Sequence, residues 1–181
     1  HTILLAGGTG TMGRILQDHF VKQGFRVVVL TRIPAKHKRT GVNFLHWDGS
    51  TIGDWASELE GATAVINLAG RSVDCRYNAR NKALILDSRV DATNVLGLAI
   101  ARCMVPPKLW INLSTATIYR HAEDRPMDEA TSDIGSGFSV NIANAWEKAF
   151  FAHPREGVRQ VAVRCAMVFS PHSGAFPRFT Q

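Results

Sequence analysis

Three features of the 181-residue sequence predict an α/β fold with a doubly wound parallel sheet. Apolar runs alternate with stretches of helical periodicity. Most of the runs are continuous, as strands covered on both faces require. The first run enters a helical stretch through a glycine-rich turn, Gly7-Gly8-Thr9-Gly10-Thr11-Met12-Gly13. Such a β/α alternation implies right-handed crossovers and ligands seated at the carboxyl ends of the strands.

The first strand is predicted over Thr2–Ala6 and the first helix over Met12–Gln23. Between them, Gly7 allows a tight turn, Gly10 lets the backbone approach a pyrophosphate, and Gly13 lets the helix pack close to the strand. The helix start then offers free N–H groups and a partial positive charge to phosphate. Gly7, Thr9, Gly10, Thr11, Met12 and Gly13 are therefore candidate cofactor-binding residues.

The second strand is Arg26–Thr31, followed directly by Arg32. A carboxylate here would bond a ribose 2′-hydroxyl and repel a 2′-phosphate. Instead Thr31 offers a hydroxyl and Arg32 a planar fork, which selects NADP over NAD. The alternative for Arg32 is a solvated loop residue. The third strand, Asn43–Trp47, leads to Asp48-Gly49. Asp48 is placed either to accept from an adenine amino group or to start a turn. A short helix is expected at Trp55–Leu59 and a fourth strand at Ala64–Ala69. The strand ends Ile66-Asn67-Leu68-Ala69-Gly70, where small residues let the chain run beside a bound nucleotide, so Leu68, Ala69 and Gly70 are candidate cofactor-binding residues.

A long helix is predicted over Asn78–Cys103, with an apolar stripe at Leu86, Val90, Val95/Leu96 and Ile100, stopped by Pro106-Pro107. The fifth strand, Leu109–Ser114, continues into Thr115-Ala116-Thr117-Ile118-Tyr119, a run of hydroxyls at the rim where nicotinamide and substrate would meet. A helix over Val140–Ala152 and a sixth strand over Gln160–Phe169 complete the pattern.

Composition narrows the function classes. Apolar residues make up 45% and charged residues 20%, ordinary for a globular domain. No apolar run approaches the roughly 18–20 residues of a membrane span, so no membrane partner is expected. The net charge is +6, but the basic residues are scattered apart from Lys36-His37-Lys38-Arg39, which lacks interleaved aromatics. That excludes a nucleic-acid patch in favour of a solvated loop or help with an anionic cofactor. Seven histidines are dispersed without ligand spacing, so no metal is expected. Three cysteines, Cys75, Cys103 and Cys165, form no even framework and suggest a reducing, cytoplasmic setting. The immediate first strand suggests no signal peptide, and both ends look cut, so a longer polypeptide is expected.

With these residues in place, the chain resembles the short-chain dehydrogenase/reductase superfamily, extended type, among its NAD(P)-dependent epimerase/dehydratase-like members. The marks are the glycine turn, Asn67-Leu68-Ala69-Gly70, Ser114-Thr115-Ala116-Thr117-Ile118-Tyr119 and Pro126-Met127-Asp128-Glu129. More narrowly, it is similar to the subgroup labelled nucleoside-diphosphate-sugar epimerase or cell-division-inhibitor-like. Asp87-Ser88-Arg89 with Thr93, Trp146-Glu147 and Val163-Arg164 carry that likeness. The resemblance implies a Rossmann domain whose C-terminal substrate domain lies outside this chain. It implies that Gly7, Gly10 and Met12 lie along the pyrophosphate, that Thr31 and Arg32 take the 2′-phosphate, and that Asp48 takes the adenine. Leu68, Ala69 and Gly70 would pass the adenosine, with Ser114 at the cofactor site. Thr115 stands in the slot of the catalytic Ser/Thr. It also implies a homodimer through the long helix and the helix beginning near Val140.

One departure is large. The superfamily transfers its proton through a Tyr with a Lys four residues later. Residues 137–147 contain neither. The two tyrosines of the chain are Tyr77 and Tyr119, and neither has Lys at the fourth position. Two readings follow. One is an NADP(H)-dependent oxidoreductase or epimerase-like enzyme, with an unknown small-molecule substrate, using Thr115 and Tyr119. The other is a non-catalytic NADP(H)-binding redox sensor or scaffold.

Overall fold

The computed structural model describes residues 1–130, 133–170 and 173–174. Six strands, β1 (Thr2–Ala6), β2 (Arg26–Thr31), β3 (Val42–His46), β4 (Ala64–Asn67), β5 (Leu109–Thr115) and β6 (Arg159–Cys165), form one sheet in the order β3-β2-β1-β4-β5-β6. All five pairings are parallel. The order reverses between β1 and β4, which opens a crevice at their carboxyl ends.

Alternation along the strands divides the core in two. Ile3, Leu5, Val27, Val29, Ala64 and Ile66 face α1 (Thr11–Lys22), which contributes Leu16, Phe20 and Val21. Leu4, Ala6, Val28, Leu30, Val65 and Trp110 face the other way, against Ala92, Val95, Leu96, Ala99 and Ile100 of α2 (Ala79–Arg102) and Phe150 of α3 (Phe138–Phe151). Helices thus cover both faces, as the continuous apolar runs require. Trp110 meets Phe150 edge to face, with ring centroids 4.6 Å apart. At the far edge Trp47 and Trp55 form a second such pair at 5.8 Å.

The structure corrects the sequence reading at several elements: β3 lies one residue earlier than Asn43–Trp47, α1 ends at Lys22 rather than Gln23, and the last helix is Phe138–Phe151 rather than Val140–Ala152. The Trp55–Leu59 helix is a 3-10 segment, Asp54–Leu59. β4 stops at Asn67 rather than Ala69, because the Asn67 carboxamide accepts from the Ala69 N–H and turns the chain out of the sheet. β5 runs one residue further, to Thr115. The predicted sixth strand ends at Cys165, and Phe169–Ser170 pairs instead with Ser173–Gly174 in a separate antiparallel ribbon. On α2 the buried stripe runs through Ile85, Ala92, Val95, Leu96, Ala99 and Ile100, while Leu86 and Val90 are only half-buried. Asn78 caps this helix, its side chain accepting from the Asn81 N–H.

Candidate functional site

The glycine turn has the geometry its sequence predicts. Gly7 adopts φ 72°, and a Cβ there would lie 2.8 Å from the Ala69 Cα. The turn after β1 therefore touches the segment after β4, which brings Gly7 and Leu68–Gly70 together across the crevice. At Gly13 a Cβ would fall 2.0 Å from the Gly8 carbonyl oxygen, so only glycine fits. Gly10 has nothing within 4 Å of a Cβ position and is exposed. The turn is closed behind and open in front, at the N-terminus of α1. No side chain caps that N-terminus, so its N–H groups are available to an anion.

One residue that sequence reasoning missed holds this turn. Gln17, 2% exposed, donates to the Gly8 carbonyl at 2.7 Å. Its signal was a polar side chain one helical turn beyond Gly13, on the face of α1 that packs against the sheet. Arg14 adds a bond to the Thr9 carbonyl at 3.1 Å.

At the end of β2 Thr31 is buried at 9% exposure, and Arg32 is exposed. Among the described residues the Arg32 guanidinium has no hydrogen-bond or ion-pair partner. Arg39 of the basic cluster pairs with Asp18 of α1. Asp48 is exposed and makes the turn: its carboxylate accepts from the Ser50 and Thr51 N–H groups at 2.8 Å and from the Thr51 hydroxyl at 2.6 Å. The Thr51 hydroxyl and these backbone donors hold its carboxyl down at about 2.

Beneath the crevice lies a buried polar group. Asn67 donates to Asn112 Oδ1 at 2.7 Å and to Thr93 Oγ1 at 3.1 Å. Thr93 Oγ1 also accepts from the Trp146 indole at 3.0 Å and donates to the Arg89 carbonyl. This ties β4, β5, α2 and α3 together at one depth. Asn67 and Asn112 are register partners, so they meet because the strands pair as they do.

At the end of β5 the predicted residues separate. Ser114 points inward, and its hydroxyl donates to Glu147 Oε1 at 2.6 Å. Arg164 forks onto the same carboxylate at 2.9 and 2.8 Å. Burial pushes the Glu147 carboxyl up, but the bonds from Arg164 and Ser114 outweigh it and hold it below its ordinary value. Arg164 also donates to the Tyr119 hydroxyl at 2.9 Å. Tyr119 is thereby anchored to the sheet edge, its own O–H proton left for another acceptor. Thr115 stands apart, its hydroxyl 2.8 Å from that of Thr117 at the rim. The structure thus assigns the Ser114 hydroxyl to the interior. No hydrogen bond joins Thr115 to Tyr119 among the described residues.

Among the described residues no cluster of His, Cys, Asp and Glu could hold a metal. No helix among them is long and apolar enough to cross a membrane.

Comparison with known proteins agrees with this geometry. The model of the NAD dependent epimerase/dehydratase family matches residues 3–180. The epimerase family protein SDR39U1 of Bos taurus is 30% identical over 176 residues, covering 96% of this chain and 56% of its own. The chain therefore spans little more than half the length of that relative. The crystal structure of human SDR39U1 (isoform 2) with NADPH superposes with a TM-score of 0.83 at 27% identity, covering 99% of this chain and 58% of the other. MoeE5, solved with UDP-glucuronic acid and NAD, gives 0.80 at 22% identity, over 97% and 58%, a likeness of fold alone.

Proposed function

We propose, from the premise that this chain belongs to the NAD dependent epimerase/dehydratase family, that it binds NADP(H) in the β1–β4 crevice and serves an oxidoreductase or epimerase-like reaction with nonstandard proton-transfer residues. One observation carries the choice of NADP(H): Arg32, exposed and unpaired among the described residues, follows Thr31 at the end of β2, where a carboxylate would select NAD. The NADPH bound by human SDR39U1 supports the same choice.

In this reading Gly7, Thr9, Gly10, Thr11, Met12 and Gly13 hold the pyrophosphate, and Thr31 and Arg32 hold the 2′-phosphate. Asp48 faces the adenine, and Leu68, Ala69 and Gly70 pass the adenosine. The dinucleotide supplies hydride transfer when bound. The Thr115 hydroxyl orients a substrate carbonyl or hydroxyl, and Tyr119, fixed by Arg164, gives or takes the proton. The substrate is a small molecule whose remaining contacts come from a C-terminal domain, and the setting is cytoplasmic.

The test is titration of the full-length protein with NADPH and NADH. NADPH is expected to bind at least about tenfold more tightly, a difference of about 1.4 kcal/mol. Arg32→Ala removes most of that preference, and Thr31→Asp inverts it. Equal affinities in the parent overturn the reading.

A second reading, a non-catalytic NADP(H)-binding redox sensor or scaffold, is favoured by the lack of Tyr and Lys in residues 137–147. Loss of general acid–base help costs about 10²–10⁴-fold in rate, so epimerisation of nucleotide sugars is expected to be weak. A hydride-transfer assay over nucleotide sugars and small carbonyls separates the two, since turnover at ordinary rates eliminates the sensor.

A further inference from the structure

Arg89 is a cation in an unusual place. It rises from α2 beneath the segment that follows β4. Its Nη1 donates to the carbonyls of Arg71 at 3.1 Å and Ile85 at 2.9 Å. The guanidinium lies 5.2 Å over the Trp146 ring. It forms no ion pair among the described residues. Its neighbour Ser88 accepts the Arg71 N–H at 2.9 Å. Both backbone polar groups of Arg71 are thus captured from one turn of α2. Gly70 is pressed onto the same guanidinium, since a Cβ there would lie 3.0 Å from Arg89 Cζ. Burial disfavours the charged form of Arg89 and lowers its pKa from the ordinary value.

We infer that Arg89 and Ser88 are positioning residues of the cofactor site. They clip the Arg71 peptide and thereby hold Leu68–Gly70 in the shape against which the dinucleotide binds, before it arrives. The inference rests on the cofactor reading above. The clip secures one wall of the crevice as Gln17 secures the other, at Gly8. A wall already in place removes an ordering cost from binding. Because β1 separates β4, which leads into Leu68–Gly70, from β2, which leads into Arg32, the clip acts on the parts common to NADP(H) and NAD(H).

The test uses full-length protein with Arg89→Met, Arg89→Lys and Ser88→Ala, titrated with NADPH and NADH. Arg89→Met is expected to weaken both cofactors by the same factor, at least about tenfold, the loss of hydrogen bonds from a charged group. The NADPH preference stays that of the parent. Arg89→Lys does not restore affinity, because an ammonium cannot hold the Arg71 carbonyl and lie flat on Trp146 together. Ser88→Ala, the milder change should Arg89→Met fail to fold, weakens both cofactors and speeds hydrogen exchange at the Arg71 amide without ligand. Parental affinity in Ser88→Ala and Arg89→Lys, or a loss confined to NADPH, overturns the clip. Absence of binding by the parent overturns the cofactor reading and with it the clip.

Discussion

Gly10 and Gly13 sit three residues apart and constrain the chain differently. At Gly13 the obstacle is the protein's own backbone, the Gly8 carbonyl, which cannot move without opening the turn. Gly13→Ala is expected to destabilise the fold by about 3 kcal/mol, the upper end for overpacking, in urea denaturation. At Gly10 the space is empty, so a Cβ meets no clash, and the cost is that of alanine at the N-cap of α1, about 1 kcal/mol. Gly10→Ala is therefore expected to stay folded, losing less stability than Gly13→Ala, while binding NADPH at least about tenfold more weakly, because in the proposed site the methyl stands where phosphate approaches. Unimpaired binding by Gly10→Ala would contradict a pyrophosphate at this turn. The shape of the glycine turn and the position of Arg32 just past β2 were legible in the sequence because local spacing dictates them. Gln17, Arg89 and the inward turn of Ser114 were not, since each depends on which carbonyl or carboxylate the fold brings alongside.

The elements show the same division. The strands could be read from their apolar runs, but the runs overshot where apolar sequence continued past the last pairing. Residues 166–169 extend the hydrophobic stretch without extending β6. β4 ended early because a side chain, Asn67, intervened. The joint between β5, α3 and β6 was invisible, because Ser114 and Arg164 meet only through strand register and Glu147 reaches them from a helix. Glu147→Ala strands Arg164 at partial burial and is expected to cost about 2–3 kcal/mol in urea. The Glu147 carboxyl is depressed in the folded state, so its contribution is complete above the ordinary carboxylate range and lost as pH falls through its folded value. The stability of Glu147→Gln should therefore fall less steeply with acid than that of the parent. Parallel acid profiles would mean that this carboxylate does not report on folding.

At the scale of the molecule, α2 and α3 lie side by side on one face of the sheet, with Leu84 and Leu98 of α2 and Phe151 of α3 exposed. We propose that these two helices pair with their copies in a homodimer. Light scattering on the full-length protein at micromolar concentration should give twice the chain mass, and a monomer would refute the pairing. NADPH at about 100 times its dissociation constant should stabilise the fold by roughly 2.7 kcal/mol, a melting shift of several degrees.

The four tryptophans give the molecule optical reporters. All are buried, Trp47 and Trp55 at 4% exposure beside β3 and Trp110 and Trp146 at 0% and 6% around β5 and α3. Each half of the sheet thus carries its own fluorophores, and both should emit at short wavelength until the chain opens. A Trp47→Phe/Trp55→Phe variant reports the β5 half, and Trp110→Phe/Trp146→Phe reports the β3 half. If the six strands unfold as one cooperative unit, the red shifts of the two variants should coincide with backbone circular dichroism measured on the same sample. An earlier red shift from Trp47 and Trp55 would show the β3 edge of the sheet peeling away first, as a separate cooperative unit.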